Sequence, residues 1–320
     1  MNIFSEDAFF EAFSQAYCPH QPLRLEWFEI DNKLWRLPCI HSRKSINKSL
    51  ESIDFFEPLD DNLTGTYPTT KKFHYLPRVS WKIVSYSEWI EQNLSQHFQA
   101  APTILWDNFE TWEAFTNHVK QRRSRLFVDS CRRQRKLEQE LGSLQFVFDD
   151  RRPEVLRTFF GWKRKHLHRQ GLLDRFTSLE RMHFFEELAA RQLLLVSSLG
   201  TEEHLLAIYI ALLNRGRFYL WNAAYNLDYS QYSPGRLLLH WLLEQSFELR
   251  HQEFDLLWGD QEYKWYYATH ARLIEEMGHR PLSGQCHHCL KAILNPFPEM
   301  AGGLKQLRNA IMRQCQKNLI

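Results

Sequence analysis

Residues 217–225 read Arg217-Phe-Tyr-Leu-Trp-Asn-Ala-Ala-Tyr225, and residues 232–239 read Tyr232-Ser-Pro-Gly-Arg-Leu-Leu-Leu239. The first is a strand pattern, and the second opens a long apolar helix pattern. A further strand pattern, Phe254-Asp-Leu-Leu-Trp258, runs into Gly259-Asp-Gln-Glu-Tyr-Lys264. Strand, glycine turn and helix in that order place N–H groups at a helix N-terminus. Donors without helical partners and the helix dipole both favour an anion there, phosphate above all. The polar cluster after the next strand falls at the same carboxyl edge of the sheet. The pairing implies a phosphate-bearing cofactor next to a reaction centre.

Outward from this core the patterns alternate. Thr177 and Glu180 form a capping-box pattern that opens a helix to about residue 191. A strand follows at 193–198, then a hairpin of 205–213 and 217–225 turning at Asn214-Arg-Gly216. Helix 236–250, strand 253–258, helix 261–269, strands within 279–293 and a helix at 304–316 complete the chain. Upstream lie a helix at 5–17 with Phe9, Phe10, Phe13 and Tyr17 on one side, and a hairpin of 23–30 and 33–40 across Asp31-Asn32. A strand at 78–85 and a helix at 87–98 come next. Asp107 and Glu110 suggest another capping box, 144–148 a strand, and Pro153 the start of a helix carrying Trp162, Lys163, Arg164 and Lys165. The expected fold class is α/β (α+β), a mixed sheet covered by helices. Gln99-Ala-Ala-Pro-Thr103 reads as a connection between an N-terminal half, 1–100, and a C-terminal domain, 101–320.

Composition narrows the class. The chain has 320 residues, 44% of them hydrophobic and 14% aromatic, enough for large ring-rich cores. A net charge of +2 gives no bulk argument for nucleic acid or a membrane surface. Six cysteines are too few for a disulfide scaffold at this length. No signal-peptide pattern opens the sequence and no membrane-spanning apolar run occurs, so a cytoplasmic protein is expected.

The segments 225–239 and 254–264 resemble the CelD-like acyltransferases of the GNAT (N-acetyltransferase) superfamily, which are associated with cellulose or other polysaccharide synthesis. The resembling features are a Tyr-rich strand end, a Pro-Gly turn opening a helix, and a strand closing on Gly259-Asp-x-x-Tyr263-Lys264. The basic segment 122–141 and the elements to His168 are similar as well. The resemblance implies a GNAT acyltransferase fold in two tandem halves, the N-terminal one degenerate, as in the related Fem-type ligases. It also implies acetyl-CoA or another acyl-CoA as donor. Here Pro234 and Arg236 flank a single Gly235 where the better-known GNAT turn offers several small residues, and Pro234 removes one donor. The cofactor candidates are Ser233, Gly235, Arg236, Leu237 and Lys264, with N–H donors expected from Gly235, Arg236 and Leu237.

N-acyl transfer needs a deprotonated amine, a polarised carbonyl and a proton for the leaving thiolate. Asp260 or Glu262 could take the amine proton and Tyr263 could protonate the sulfur, the role a Tyr often holds in the family. Lys264 could hold phosphate or an acidic substrate. The plainer alternative is that Asp260 caps a helix and Lys264 is paired. Strand residues Trp221, Asn222 and Tyr225 would offer backbone N–H groups to the acyl carbonyl, with Trp221 itself read as core. Lys120-Gln-Arg-Arg-Ser-Arg125 and Arg132-Arg-Gln-Arg-Lys136 give the cleft a positive edge or form a solvated, paired face. Cys286-His-His-Cys289 lacks the four ligands of structural zinc and reads as a strand pair, so no metal is expected. The acceptor is expected to be a small-molecule amine: a sugar, a nucleotide sugar or another metabolite. A Fem-like transferase drawing on charged tRNA, and a non-catalytic partner in a polysaccharide-synthesis assembly, are the alternatives.

Overall fold

A computed structural model describes residues 3–17, 19, 24–30, 33–39, 75–171, 174–259 and 261–278. Asp260, Cys286 and Cys289, and the strands and helix expected at 279–293 and 304–316 lie outside these.

The first helix is α1 (Asp7–Tyr17), and β1 (Arg24–Ile30) pairs antiparallel with β2 (Lys33–Cys39) as the hairpin expected. Next come β3 (Tyr75–Ser85) and α2 (Tyr86–Glu91). The helix expected to reach residue 98 stops early because Asn93 turns left-handed at φ 49°. Gln99–Leu105 is β4, a strand inside the sheet. The stretch read as a connection therefore carries register pairs on both sides, to the strands Glu253–Asp255 and His270–Gly278.

Helices α3 (Trp112–Arg122), α4 (Leu126–Leu141) and α5 (Pro153–Arg169) follow, with β5 (Gln145–Val147) between the last two. The cap of α3 is Thr111, whose hydroxyl accepts the Ala114 N–H at 3.1 Å; Asp107 lies in a separate short turn. Thr111→Ala should cost about 1 kcal/mol, read as a lower urea midpoint at unchanged slope. Likewise Ser178, one residue after Thr177, caps α6 (Leu179–Ala190). Strands β6 (Leu194–Gly200), β7 (Leu205–Asn214) and β8 (Arg217–Tyr225) form a meander. The β7–β8 turn places Arg215 and Gly216 at φ 49° and 76°, as a tight hairpin requires. Helix α7 (Pro234–Glu248), β9 (Glu253–Asp255), the short α8 (Lys264–Tyr267) and β10 (His270–Gly278) complete the described chain.

Eight strands form one sheet in the order β3-β10-β4-β9-β8-β7-β6-β5, antiparallel except for β8 beside β9. This is the mixed sheet expected. Helices α1, α5 and α6 cover one face over Phe9, Phe13, Phe159, Phe184 and Tyr219. Helices α3, α4 and α7 cover the other over Phe115, Leu137, Phe218, Leu238 and Phe254. Trp221 stacks on Phe185 at 4.9 Å within the first core, a packing position. Among the described residues no helix is long and apolar enough to cross a membrane.

Candidate active site

The site begins where the parallel pair fails. Strands β8 and β9 pair only over Arg217–Tyr219 and Glu253–Asp255, then part. On one side of the opening, Asp255 Oδ1 accepts the Leu257 N–H at 2.8 Å, and Leu257 turns left-handed at φ 58°. A branched residue rarely adopts that conformation, so the turn costs strain that the Asp255 bond offsets. It ends β9 three residues before the sequence pattern did. On the other side β8 stays with β7 as far as Tyr225. Ile210 faces Asn222 while Ala211 faces Leu220, so Trp221 is an extra residue, and this bulge bends β8 away from β9.

The free edge of β8 lines the opening. The Asn226 N–H bonds the Leu206 carbonyl at 2.9 Å, so even-numbered residues here address β7. Ala223 and Tyr225 therefore turn their N–H and C=O groups into the split. Helix α5 satisfies both carbonyls from residues one turn apart. Lys163 Nζ donates to the Ala223 carbonyl at 3.1 Å, and His166 Nε2 lies 2.9 Å from the Tyr225 carbonyl. The N–H groups of the same edge are left as donors toward the opening. Asn222, expected to contribute a donor, points toward β7 instead.

A cavity of about 340 Å³ opens on the α7 side, lined by Ala223, Tyr225, Ser233, Gly235, Arg236, Tyr263 and Tyr267 among others. Ser233 is the left-handed N-cap of α7 at φ 53°, and its hydroxyl accepts from Arg133 at 2.9 Å. Of the three expected turn donors, Arg236 and Leu237 N–H both reach the Ser233 carbonyl, at 2.9 and 3.3 Å. Both N–H groups are engaged by the helix's own first turn, which removes them as ligand donors. The Gly235 N–H takes no part in these bonds. A Cβ on Gly235 would sit 3.6 Å from the Tyr225 ring, so an alanine fits but a longer side chain enters the cavity. The Arg236 guanidinium lines the same wall, and its Nε and Nη2 are buried without an acceptor. Burial and the Arg133 charge lower its pKa, the response of a cation that lacks an anion.

Tyr263 belongs to the cavity as expected. Its hydroxyl is hydrogen-bonded to that of buried Tyr209, and burial raises both pKa values, so both stay protonated. Tyr267 is bonded to His240 Nε2 at 2.7 Å, and burial with the nearby Arg236 lowers that imidazole to about 3, so it is neutral. Glu262 is elsewhere. Its side chain is 75% exposed, paired to Arg123 at 2.8 Å and to the Tyr266 hydroxyl at 3.0 Å, and it does not line the cavity. Lys264 is buried at the split, donating to the carbonyls of Leu257 and Trp258 at 3.1 and 3.4 Å, and it does not line the cavity of the turn it was grouped with by sequence. Arg122 of the basic run bonds the Trp265 and Ala268 carbonyls and stacks on Tyr86 at 3.7 Å, a structural clamp. Among the described residues no cluster could hold a metal ion.

Sequence patterns did not single out Tyr209, His240, Tyr267 or the charged end of Lys163 as site residues, and they marked Arg133 only as part of a basic edge. A tyrosine inside an apolar strand, such as Tyr209 in Leu205–Asn214, was the available signal.

The geometry is that of a mixed, mostly antiparallel sheet split at its parallel pair, with a helix opening beside the split. Residues 122–265 match the family model described as an acetyltransferase (GNAT) domain, which supports the GNAT superfamily for this chain. The structure is similar to a crystal structure of FemX at a TM-score of 0.53 and 9% identity, covering 86% of this chain and 91% of that one. It is also similar to L-PGS from Bacillus licheniformis, at a TM-score of 0.44 and 11% identity over 88% and 95% of the two chains. No curated protein matches by sequence. The fold is the GNAT acyltransferase fold expected.

Proposed function

We propose that the protein transfers an acyl group from acyl-CoA to an amine, in the manner of the CelD-like enzymes that its turn and strand-end residues resemble. The observation that carries this is the Arg236 guanidinium, two of its nitrogens buried without an acceptor, beside the Gly235 N–H at the mouth of the cavity. That pairing suits a phosphate group. Arg133, Arg236 and the Gly235 N–H would hold the donor's phosphates. The thioester would supply an activated carbonyl, and the outward N–H groups of Ala223 and Tyr225 would polarise it. The amine attacks that carbon, the C–N bond forms and the C–S bond breaks. Tyr263, which burial keeps protonated, would give its proton to the sulfur as the C–S bond breaks, and the surplus proton on nitrogen would pass to solvent. With Glu262 outside the cavity, rate rests mainly on positioning a neutral amine against the thioester.

A second reading follows from α4. Arg132, Arg135 and Lys136 are exposed on the helix whose Arg133 touches the turn, a surface that suits a longer polyanion such as a charged tRNA.

Calorimetric titration with acetyl-CoA and longer acyl-CoAs tests the first reading. Saturable binding is expected, weakened at least about tenfold in Gly235→Glu and kept in Gly235→Ala. No binding by the parent protein would overturn it. Salt-sensitive binding of charged tRNA would then support the second.

A further inference from the structure

A second, smaller cavity lies where α5 meets the end of β8. It holds about 110 Å³ and is lined by Trp162, Lys165, His166, Tyr225 and Asp228 among others. Tyr225 lines the α7 cavity as well, so the last residue of β8 is the wall between the two. The His166 and Tyr225 rings lie 4.6 Å apart. A carbonyl oxygen can only accept, so His166 Nε2, 2.9 Å from the Tyr225 carbonyl, is the donor of that bond. Burial lowers the His166 pKa, with the Lys163 and Arg169 charges acting in the same sense, so the ring is neutral. Its Nδ1 is then unprotonated and can only accept. Asp228 lies in the turn Leu227–Tyr232, where the Asn226 side chain accepts its N–H at 3.1 Å. It is exposed, and it is the one carboxylate among the described residues of the lining.

A carboxylate, an imidazole lone pair and the Trp162 and Tyr225 rings together suit an ammonium group, which has three donors and a charge that aromatic faces attract. Lys165 is the one ammonium of the lining; it is exposed, and its long stem lets the charge stay in water. Size narrows the ligand further. A water takes about 30 Å³ of liquid, so the cavity admits an aminoalkyl end of about four heavy atoms. A sugar ring with its hydroxyls is far larger.

Resting on the acyl-transfer reading, we propose that this cavity is the acceptor subsite, and that the acceptor is a primary amine ending an unbranched chain rather than an amine fixed on a sugar ring. The ammonium would lie against the Trp162 and Tyr225 rings and donate to Asp228 and to His166 Nδ1. Tyr225 would serve both substrates, its N–H turned to the thioester and its ring to the amine. Loss of one proton to solvent leaves the neutral amine that attacks.

The test needs no acyl-CoA, so it is independent of whether the donor reading holds. The full-length protein is labelled with 13C at the histidine ε1 carbons, and the His166 signal is assigned by its loss in His166→Gln. At neutral pH and fixed ionic strength it is titrated separately with butylamine, glucosamine, butanol and butyrate. Butylamine should move the signal saturably, with an affinity at least about tenfold above that of the other three. In Asp228→Asn the butylamine affinity should fall about threefold or more, while the backbone amide spectrum confirms the fold. No saturable movement, an equal response to glucosamine, butanol or butyrate, or an undiminished affinity in Asp228→Asn would overturn the proposal. If acyl-CoA fails to bind while butylamine moves His166 as expected, the donor reading alone is lost.

Discussion

Arg217→Met lowers the unfolding free energy by about 3–5 kcal/mol. Arg217 sits at the start of β8, where the parallel pair still holds. Its Nη2 lies 2.5 Å from Asp255 Oδ2 and its Nε 3.3 Å from Glu253 Oε2. Arg272 of β10 reaches the same carboxylates, at 2.6 Å to Glu253 and 3.5 Å to Asp255, and the Thr103 hydroxyl donates to Glu253 at 2.7 Å. Four charges from β8, β9 and β10 are thus buried together, with the Thr103 hydroxyl of β4 beside them. Burial alone would make each carboxylate costly, and the guanidiniums are what make both tolerable. Without Arg217, Asp255 keeps only the longer contact to Arg272. Asp255 also fixes the Leu257 turn that ends β9, so the split should loosen together with the fold. Urea unfolding of Arg217→Met, Asp255→Asn and the double variant measures the coupling. A loss below about 1 kcal/mol in Arg217→Met would show that the network is not a structural centre.

Lys163→Met should stabilise the protein near pH 7, and the gain should disappear as pH rises. Burial lowers the Lys163 pKa from 10.5 to about 8 in the folded state. Below pH 8 both folded and unfolded chains hold the proton, and the folded state bears the full cost of a buried charge. Between about 8 and 10.5 the unfolded chain binds more protons, so wild-type stability rises with pH. A shift of this size corresponds to about 3 kcal/mol in all. The lost bond to the Ala223 carbonyl returns about 1 kcal/mol of that against the variant. Comparing the two proteins pH by pH cancels the tyrosines, whose raised pKa values act in the opposite sense above pH 10. A wild-type–variant difference that stays flat from pH 7 to 9.5 would show that the amine is better solvated than its place in the split implies.

Much of the fold was legible because local rules decide local elements. Proline at the first helical position started α5 where expected, and the Arg215-Gly216 turn set the β7–β8 register. Errors of four residues at Thr111 and one at Ser178 arose where competing caps of similar strength adjoin, and sequence does not rank them; α2 stopped seven residues short of 98 because left-handed Asn93 breaks it. β10 was missed because Arg272, Glu275 and Glu276 interrupt its apolar pattern. Arg272 is buried all the same, because two carboxylates from β9 meet it there. Gln99–Thr103 read as a connection, yet Pro102 sits opposite Ala271 and gives its carbonyl to the Leu256 N–H.

The candidate site divides in the same way. The sequence determined the Pro-Gly helix start and pointed to Tyr263, because a helix start and a strand end act over a few residues. Only the tertiary structure decided which neighbours of the turn share its cavity. It turned Glu262 outward to Arg123 and buried Lys264 at the split. It also brought Lys163, Tyr209 and Arg133 to the site from segments distant in the chain. Charge and burial at a residue depend on what packs against it from elsewhere, and no local pattern encodes that partner.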